Sequence, residues 1–190
     1  ADKVTDGGLA PIKAKKRHKE AAPALPAGAI SLKHFRSHCT ACQLCISECP
    51  NKVLRPGTSL DGFMQPVMVF TDGFCRIDCN RCSQVCPTGA FKKIAVEEKA
   101  AWKVGTAFVD HEICISAANG ESCGNCQRHC PTGAISMVEA ENGNMRPVVN
   151  ESVCIGCGEC EYHCPVGRAG QLTSNSAAIY VNGIEVHQKI

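Results

Sequence analysis

Cysteine is the residue type in this chain with the clearest chemical potential. Sixteen of the 190 residues are cysteines, and they form four groups, each closed by a Cys-Pro pair. The first and last groups read C-x2-C-x2-C-x3-C-P, the second C-x3-C-x2-C-x3-C-P and the third C-x8-C-x2-C-x3-C-P. In chain order the groups are Cys39, Cys42, Cys45 and Cys49; Cys75, Cys79, Cys82 and Cys86; Cys114, Cys123, Cys126 and Cys130; and Cys154, Cys157, Cys160 and Cys164.

These spacings predict iron bound in 4Fe-4S clusters. A loop with three closely spaced cysteines can bind three iron corners of a cubane, and the fourth thiolate then comes from elsewhere. The cysteine before the proline is placed to serve a neighbouring cluster, since proline removes a backbone N–H and turns the chain away. We therefore expect four 4Fe-4S clusters on the sixteen cysteines.

Two other uses of cysteine fit the spacing less well. A disulfide framework would leave the triplets of closely spaced thiols competing with one another. Structural zinc sites use two separated C-x2-C pairs and give no role to the recurrent third cysteine or to the Cys-Pro pair. Both alternatives are disfavoured by the fourfold repetition of the pattern.

Short elements must position these loops. A helical turn is expected between the third and fourth cysteines of each group, and β-prone pieces lie between groups, such as PVMVF, TAFVDHE, AISMVE and RPVVN. The last two flank Asn142, Gly143 and Asn144, which predicts a hairpin. The expected framework is small hairpins and short helices around the cysteine loops.

The loops could pair in two ways. Sequential pairing joins the first loop with the second and the third with the fourth, whereas nested pairing joins the first with the fourth and the second with the third. The second and third loops both continue as PTGA, at 87–90 and 131–134, which favours nesting. The nested ligand sets are Cys39, Cys42, Cys45 with Cys164; Cys154, Cys157, Cys160 with Cys49; Cys75, Cys79, Cys82 with Cys130; and Cys114, Cys123, Cys126 with Cys86.

Composition and charge exclude several classes of partner. The formal net charge is only +2, so no broad field favours nucleic acid. No apolar run approaches the roughly 18 residues of a membrane span, and no transmembrane segment is expected. The basic run at 13–19 leaves peripheral membrane association open, although a solvated linker is the simpler interpretation.

The order of the four loops resembles a known family. A regular loop, an irregular loop ending CPTGA, a third loop with its first cysteine far ahead, and a regular final loop are similar to the ferredoxin-type subunits of periplasmic nitrate reductase and methylamine-utilisation systems. The stretch SLKHFRSHCTACQLCISECPNKVLRPG also resembles exported bacterial ferredoxin-like proteins. The second loop departs from the family's more usual C-x2-C-x4-C, and no twin-arginine segment is present.

The resemblance implies a function and a location. It implies an electron carrier that takes electrons from a quinol-oxidising membrane protein and delivers them to a terminal reductase or dehydrogenase. It also implies periplasmic location after twin-arginine export, with a cytoplasmic location as the alternative. No catalytic residue is predicted, since no nucleophile elbow or phosphate-binding loop is present. The alternatives are a non-catalytic iron-sulfur subunit of a larger oxidoreductase, and a redox or oxygen sensor.

The predicted fold class is α+β, with two bacterial-ferredoxin-like modules and a small hydrophobic core. Residues 1–30 are expected to form a flexible basic arm rich in Ala, Pro and Lys. Residues 31–175 are expected to form the four-cluster domain, and residues 176–190 a C-terminal hairpin around Asn182 and Gly183.

A few other residues could influence the clusters. His38, His129 and His163 each precede a cysteine and could tune a potential, although an exposed loop-edge side chain is the more ordinary role. Small residues in the loops could let backbone N–H groups approach cluster sulfurs, and ordinary turn residues are the alternative. These small residues are Gly124, Asn125, Gly156 and Gly158.

Overall fold

The structure is a computed structural model, and it describes residues 22–168 and 177–190. Its elements are short and mixed, in agreement with the predicted α+β class. The helices are α1 Leu32–His38, α2 Leu44–Ser47, α3 Arg81–Val85, α4 Val96–Lys99, α5 Ile115–Asn119, α6 Asn125–Arg128, α7 Glu159–Tyr162 and α8 Pro165–Arg168, with a 3-10 turn at Leu60–Gly62. The strands are β1 Leu54–Pro56, β2 Pro66–Met68, β3 Trp102–Val109, β4 Ile135–Glu139, β5 Met145–Val149 and β6 Ile179–Lys189.

Each cysteine group contains a helical turn that begins one residue before its third cysteine, slightly earlier than expected, and the third group also contains α5. Helices α2, α3, α6 and α7 each contain the third cysteine of their group and end before the fourth. Three of these helices follow a residue in the left-handed region: Gln43 at φ 63°, Gly124 at φ 102° and Gly158 at φ 80°. This conformation turns the loop sharply into the helix, and glycine adopts it at little cost.

Two antiparallel hairpins accompany the loops. Strands β1 and β2 pair from Leu54↔Met68 to Pro56↔Pro66, and β4 and β5 pair from Ile135↔Val149 to Glu139↔Met145. The second hairpin turns at the predicted Asn-Gly-Asn segment, where Gly143 has a φ of 77°. The hairpin prediction at this position is confirmed.

The last strand forms a ribbon with β3 instead of a hairpin. Strand β6 pairs antiparallel with β3, from Trp102↔Lys189 to Val109↔Ile179, with a register shift between Lys103 and Gly105. The predicted hairpin over 176–190 is therefore wrong for residues 179–189. The alternating apolar pattern of residues 179–189 does indicate a strand, but its hydrogen-bonding partner is the distant strand β3 and not a second half of the same segment.

The segment just before α1 is a buried strap and not part of a flexible arm. Leu25 and Ala29 are fully buried, and Ala24 and Ala27 are nearly so. Backbone bonds fix the strap, because Ala24 and Gly28 accept hydrogen bonds from Met68 and Lys92. The expectation of an arm over 1–30 is wrong for residues 22–30, and residues 1–21 lie outside the described part.

Two small cores each include residues of the ribbon, Trp102 and Val104 in the first and Ala107 and Ile179 in the second. The first packs Leu25, Phe35, Leu54, Phe70 and Phe91 against the cysteines of the first two groups. The second packs small apolar residues against the cysteines of the last two groups. We call these halves module 1 and module 2. No helix in the described residues is long and apolar enough to cross a bilayer.

Candidate metal centres

All sixteen cysteines lie in the described residues, and none of them forms a disulfide. Two enclosed cavities show how they are grouped. The walls of one carry Cys49, Cys75, Cys79 and Cys82, which we call group B. The walls of the other carry Cys114, Cys123, Cys126 and Cys164, which we call group C. In each cavity, three cysteines of one loop meet the last cysteine of the adjacent loop.

The remaining eight cysteines form two further groups by their electrostatic contacts. Repulsion from Cys42 and Cys86 acts on Cys39, and repulsion from Cys39, Cys42 and Cys86 acts on Cys45, so these four form group A. Cys154, Cys157 and Cys130 act in the same way on Cys160. Group D is therefore Cys130, Cys154, Cys157 and Cys160.

The loop contacts correct the nested pairing. The first loop lies against the second and the third against the fourth, so nested pairing is wrong for the way the loops meet. The PTGA sequence shared by the second and third loops is explained by a contact within each loop. In both copies the threonine hydroxyl lies 3.7 Å from the preceding cysteine sulfur, joining Thr88 to Cys86 and Thr132 to Cys130. The repeated motif marks the same role in each module and carries no pairing signal.

The PTGA segment surrounds the crossing cysteine with hydrogen-bond donors. The N–H of Ala134 donates to Cys130 Sγ at 3.2 Å. Burial opposes ionisation of Cys86, but the N–H groups of Phe91, Thr88 and Ala90 and the Thr88 hydroxyl together lower the pKa of this thiol. A sulfur in this setting is well placed to carry negative charge as an iron ligand.

At several other thiols burial is the dominant effect, and it raises the pKa. It raises the pKa of Cys45 and of Cys157 to about 12, and that of Cys126 to about 11. Thiolates are acceptable at such sites when a bound cation offsets the charge of neighbouring thiolates. Four sulfurs that converge on one cavity of largely apolar surface fit a thiolate-ligated iron cluster.

Lys99 is a functional residue that the sequence did not indicate. Its side chain lines the group B cavity, and the residue is only 6% exposed. The ammonium donates to Cys75 Sγ at 3.1 Å, to the carbonyl of Arg76 at 2.6 Å and to the carbonyl of Cys79. Burial would lower the pKa of Lys99, but the nearby Cys75, Cys82 and Cys79 thiolates raise it overall. Nothing in the charged run VEEK separates this lysine from an exposed one.

The four groups are arranged in a row. Groups A and B belong to module 1, and groups C and D to module 2. Between the modules, Cys75 N–H donates to the carbonyl of Cys157 at 2.9 Å, so B contacts D. Repulsion between Cys126 and Cys160 links C to D. The spatial order is therefore A, B, D, C.

The histidines singled out in the sequence differ in setting. His38 is exposed and stacks on His34. His129 and His163 stack at 3.7 Å with an interplanar angle of 8°, and Glu159 lies close enough to complete a three-ligand set. Parallel rings do not direct their lone pairs at one point, so the described arrangement is not that of a preformed metal site.

The loop glycines singled out in the sequence adopt the left-handed backbone conformation. Gly124, Gly156 and Gly158 all have positive φ, and Gly156 lies against the backbone of Gly105 in β3. The amide of Asn125 donates to the carbonyl of His163 at 3.5 Å. Donation from their backbone N–H groups to cluster sulfur stays a prediction.

Four convergent cysteine groups in two small α+β modules define an iron-sulfur electron-transfer protein. Comparison with known proteins is consistent with this class. The family model "4Fe-4S dicluster domain" matches residues 38–90 and 121–168, and the chain belongs to this family. The two matches fall on module 1 and module 2.

Named relatives cover part of the chain. The methylamine utilization ferredoxin-type protein MauM of Methylobacillus flagellatus is 35% identical over 95 residues, 48% of this chain and 40% of that protein. Ferredoxin-type protein NapG of Escherichia coli is 33% identical over 96 residues, 48% and 41% respectively. Ferredoxin-type protein NapF of Escherichia coli is 38% identical over 58 residues, 30% and 32%. The matched part of the chain thus spans between 32% and 41% of the length of these relatives.

Proposed function

We propose that the chain binds one 4Fe-4S cluster on each of groups A, B, C and D and relays single electrons along the row A, B, D, C. The observation that carries the proposal is the grouping of all sixteen cysteines into four sets of four, each built from two loops of one module. The iron-sulfur family match supports the cofactor.

The protein's own part in electron transfer is to fix spacing and surroundings. Neighbouring groups share loops within a module, and the hydrogen bond between Cys75 and Cys157 links a loop of one module to a loop of the other. The apolar cores limit access of water to most of the sulfurs, while Cys42 is the cysteine exposed at the surface. Group A is therefore suited to exchange electrons with a partner protein.

The two modules carry opposite charge, which favours different partners at the two ends. Residues 22–100 contain nine Lys or Arg and six Asp or Glu, whereas residues 101–168 contain four and eight. Electrostatic complementarity between proteins directs association and selects partners. The resemblance to nitrate-reductase and methylamine systems supports a quinol-oxidising membrane protein as donor and a terminal reductase or dehydrogenase as acceptor, with peripheral membrane association and a periplasmic location after twin-arginine export.

Two other roles use the same clusters differently. As a non-catalytic subunit of a larger oxidoreductase, the chain would bind its partner permanently. As a redox or oxygen sensor, it would change partner binding on cluster loss. The sequential row of four groups favours a carrier or subunit, because a sensor does not require a connected path.

The test is to purify the protein without oxygen and to measure iron, sulfide and reduced-state EPR signals across a redox titration. We expect about sixteen irons and sixteen sulfides per chain and reversible reduction. Stoichiometric zinc, or a chain without sulfide, would contradict the proposal. A sensor would be indicated if mild oxidation released iron and changed a partner's affinity while the reduced protein passed no electrons to it.

A further inference from the structure

The buried ammonium of Lys99 is an unusual neighbour for a cysteine ligand. Its donors are directed at Cys75 Sγ and at two carbonyl oxygens of the second loop, and the residue is 6% exposed. Because water is largely excluded, this charge is screened much less than a surface lysine would be. The ammonium therefore acts strongly on group B.

The hydrogen bonds described at other cysteine sulfurs come from uncharged donors. At group A the Thr88 hydroxyl lies near Cys86, and at group D the Ala134 N–H donates to Cys130. Near group C, the exposed Arg128 donates to the carbonyl oxygen of Cys123 and to Asn125 Oδ1, and not to a cysteine sulfur. Group D has a negative neighbour, since the Glu159 carboxylate opposes charge on Cys157. Among these surroundings, that of group B best accommodates an added electron.

We propose that Lys99 gives the cluster on group B the highest reduction potential of the four, so that the first electron to enter the chain settles there. This rests on the proposed function. A redox partner protein loses one electron and the group B centre gains it, with no bond made and no proton moved. Reduction adds negative charge beside a fixed positive charge, and hydrogen bonds to cluster sulfur act in the same direction.

The position of group B gives this assignment a consequence for electron flow. Group B lies inside the row and contacts group D through Cys75 and Cys157. An electron arriving from either end therefore settles at the junction between the modules. A chain reduced by one electron therefore carries that electron away from the exposed Cys42.

The experiment compares anaerobic EPR redox titrations of the wild-type protein with those of Lys99→Met, Lys99→Gln and Lys99→Arg. In Lys99→Met we expect the midpoint potential of the highest-potential signal to fall. At a fixed applied potential, the ratio of reduced to oxidised centre should drop at least tenfold, which corresponds to about 59 mV for one electron. Lys99→Gln keeps a hydrogen-bond donor but not the charge, and its midpoint potential should lie between those of the wild type and Lys99→Met. Lys99→Arg keeps the charge and stays close to wild type.

Two controls identify the site and the cause. Lys93→Met removes an exposed lysine of the same module and leaves all midpoints unchanged. Cys79→Ser removes a group B ligand and abolishes the signal that moves in Lys99→Met. If Lys99→Met does not bind four clusters, Lys99→Gln takes its place, and the inference again requires a lower midpoint potential for the highest-potential signal.

Unchanged midpoints in a fully loaded variant overturn the inference, and so does a shift in a signal that survives Cys79→Ser. Neither result affects the proposed function, which fails on a different measurement: wild-type protein without about sixteen irons. Loss of stability with unmoved potentials would assign Lys99 a structural role only.

Discussion

The backbone N–H of Cys75 donates a 2.9 Å hydrogen bond to the carbonyl oxygen of Cys157. This contact joins the second cysteine loop to the fourth, and therefore one module to the other. Phe70 of module 1 packs against Gly158 beside it, where a larger residue could not fit. The two modules are therefore in direct backbone contact where groups B and D meet.

Sequential pairing predicts a specific interaction between two cysteine substitutions. Cys42→Ser and Cys86→Ser should each disturb group A, since both residues belong to it. The double variant should then lose the same cluster as either single variant, leaving about twelve irons. Under nested pairing the two changes would affect different clusters, and the double variant would retain about eight. Iron and sulfide analysis of the three proteins separates these outcomes.

Gly156 should resist substitution because β3 passes so close to it. Its φ is 77°, and a Cβ there would lie 2.5 Å from the Cα of Gly105. Gly156→Ala should therefore lower thermal stability and the iron content of group D. Gly133→Ala is the matched control, since Gly133 has a φ of 64° but nothing within 4 Å of its added Cβ. That variant should show only the left-handed backbone cost of about 1–2 kcal/mol. Equal effects at both positions would refute the steric argument.

The strap before α1 should contribute to stability through Leu25. Its side chain is 0% exposed, so Leu25→Ala should reduce the free energy of unfolding by about 2–5 kcal/mol. Leu60 is 96% exposed, and Leu60→Ala should change it by less than about 0.5 kcal/mol. Thermal unfolding followed by circular dichroism gives the comparison. If residues 22–30 were flexible, the two variants would change the free energy of unfolding by the same small amount, which would contradict the buried strap.

His187 should make the protein less stable as the pH falls. It is 7% exposed, its ring nitrogens have no hydrogen-bond partner in the described part of the chain, and burial lowers its pKa from 6.5 to about 4. The unfolded chain binds a proton below pH 6.5 that the folded one refuses until about pH 4. Stability contributed by neutral His187 is thus lost between these values, by roughly 1 kcal/mol from pH 6.5 to 5.5.

His187→Phe should remove this part of the pH dependence. The measurement is the difference in melting temperature between wild type and variant from pH 7.5 to 5.5, in which acid effects on the clusters cancel. A difference that stays constant with pH would mean that His187 is not neutral through burial.

The local features of the cysteine loops could be predicted because they depend on nearby residues. The helical turn at Cys126 and the hairpin at Asn142 and Gly143 follow from short-range spacing and turn chemistry. Pairing depends on which loops meet in space, and PTGA served a local role at Cys86 and Cys130 instead.

Features that depend on contacts between residues far apart in the sequence were missed, because such contacts leave no local pattern. The strap at 22–30 lacks apolar periodicity, because small alanines and prolines are buried by close backbone approach and not by one face of a helix. The partner of β6 is a strand about seventy residues earlier, and Lys99 reaches a sulfur 24 residues away in sequence. Neither separation leaves a local pattern.

The ribbon of β3 and β6 also has a consequence for the order of biosynthesis. Strand β6 begins at Ile179, after the last cysteine, Cys164. Every cysteine therefore leaves the ribosome before the strand that pairs with β3 does.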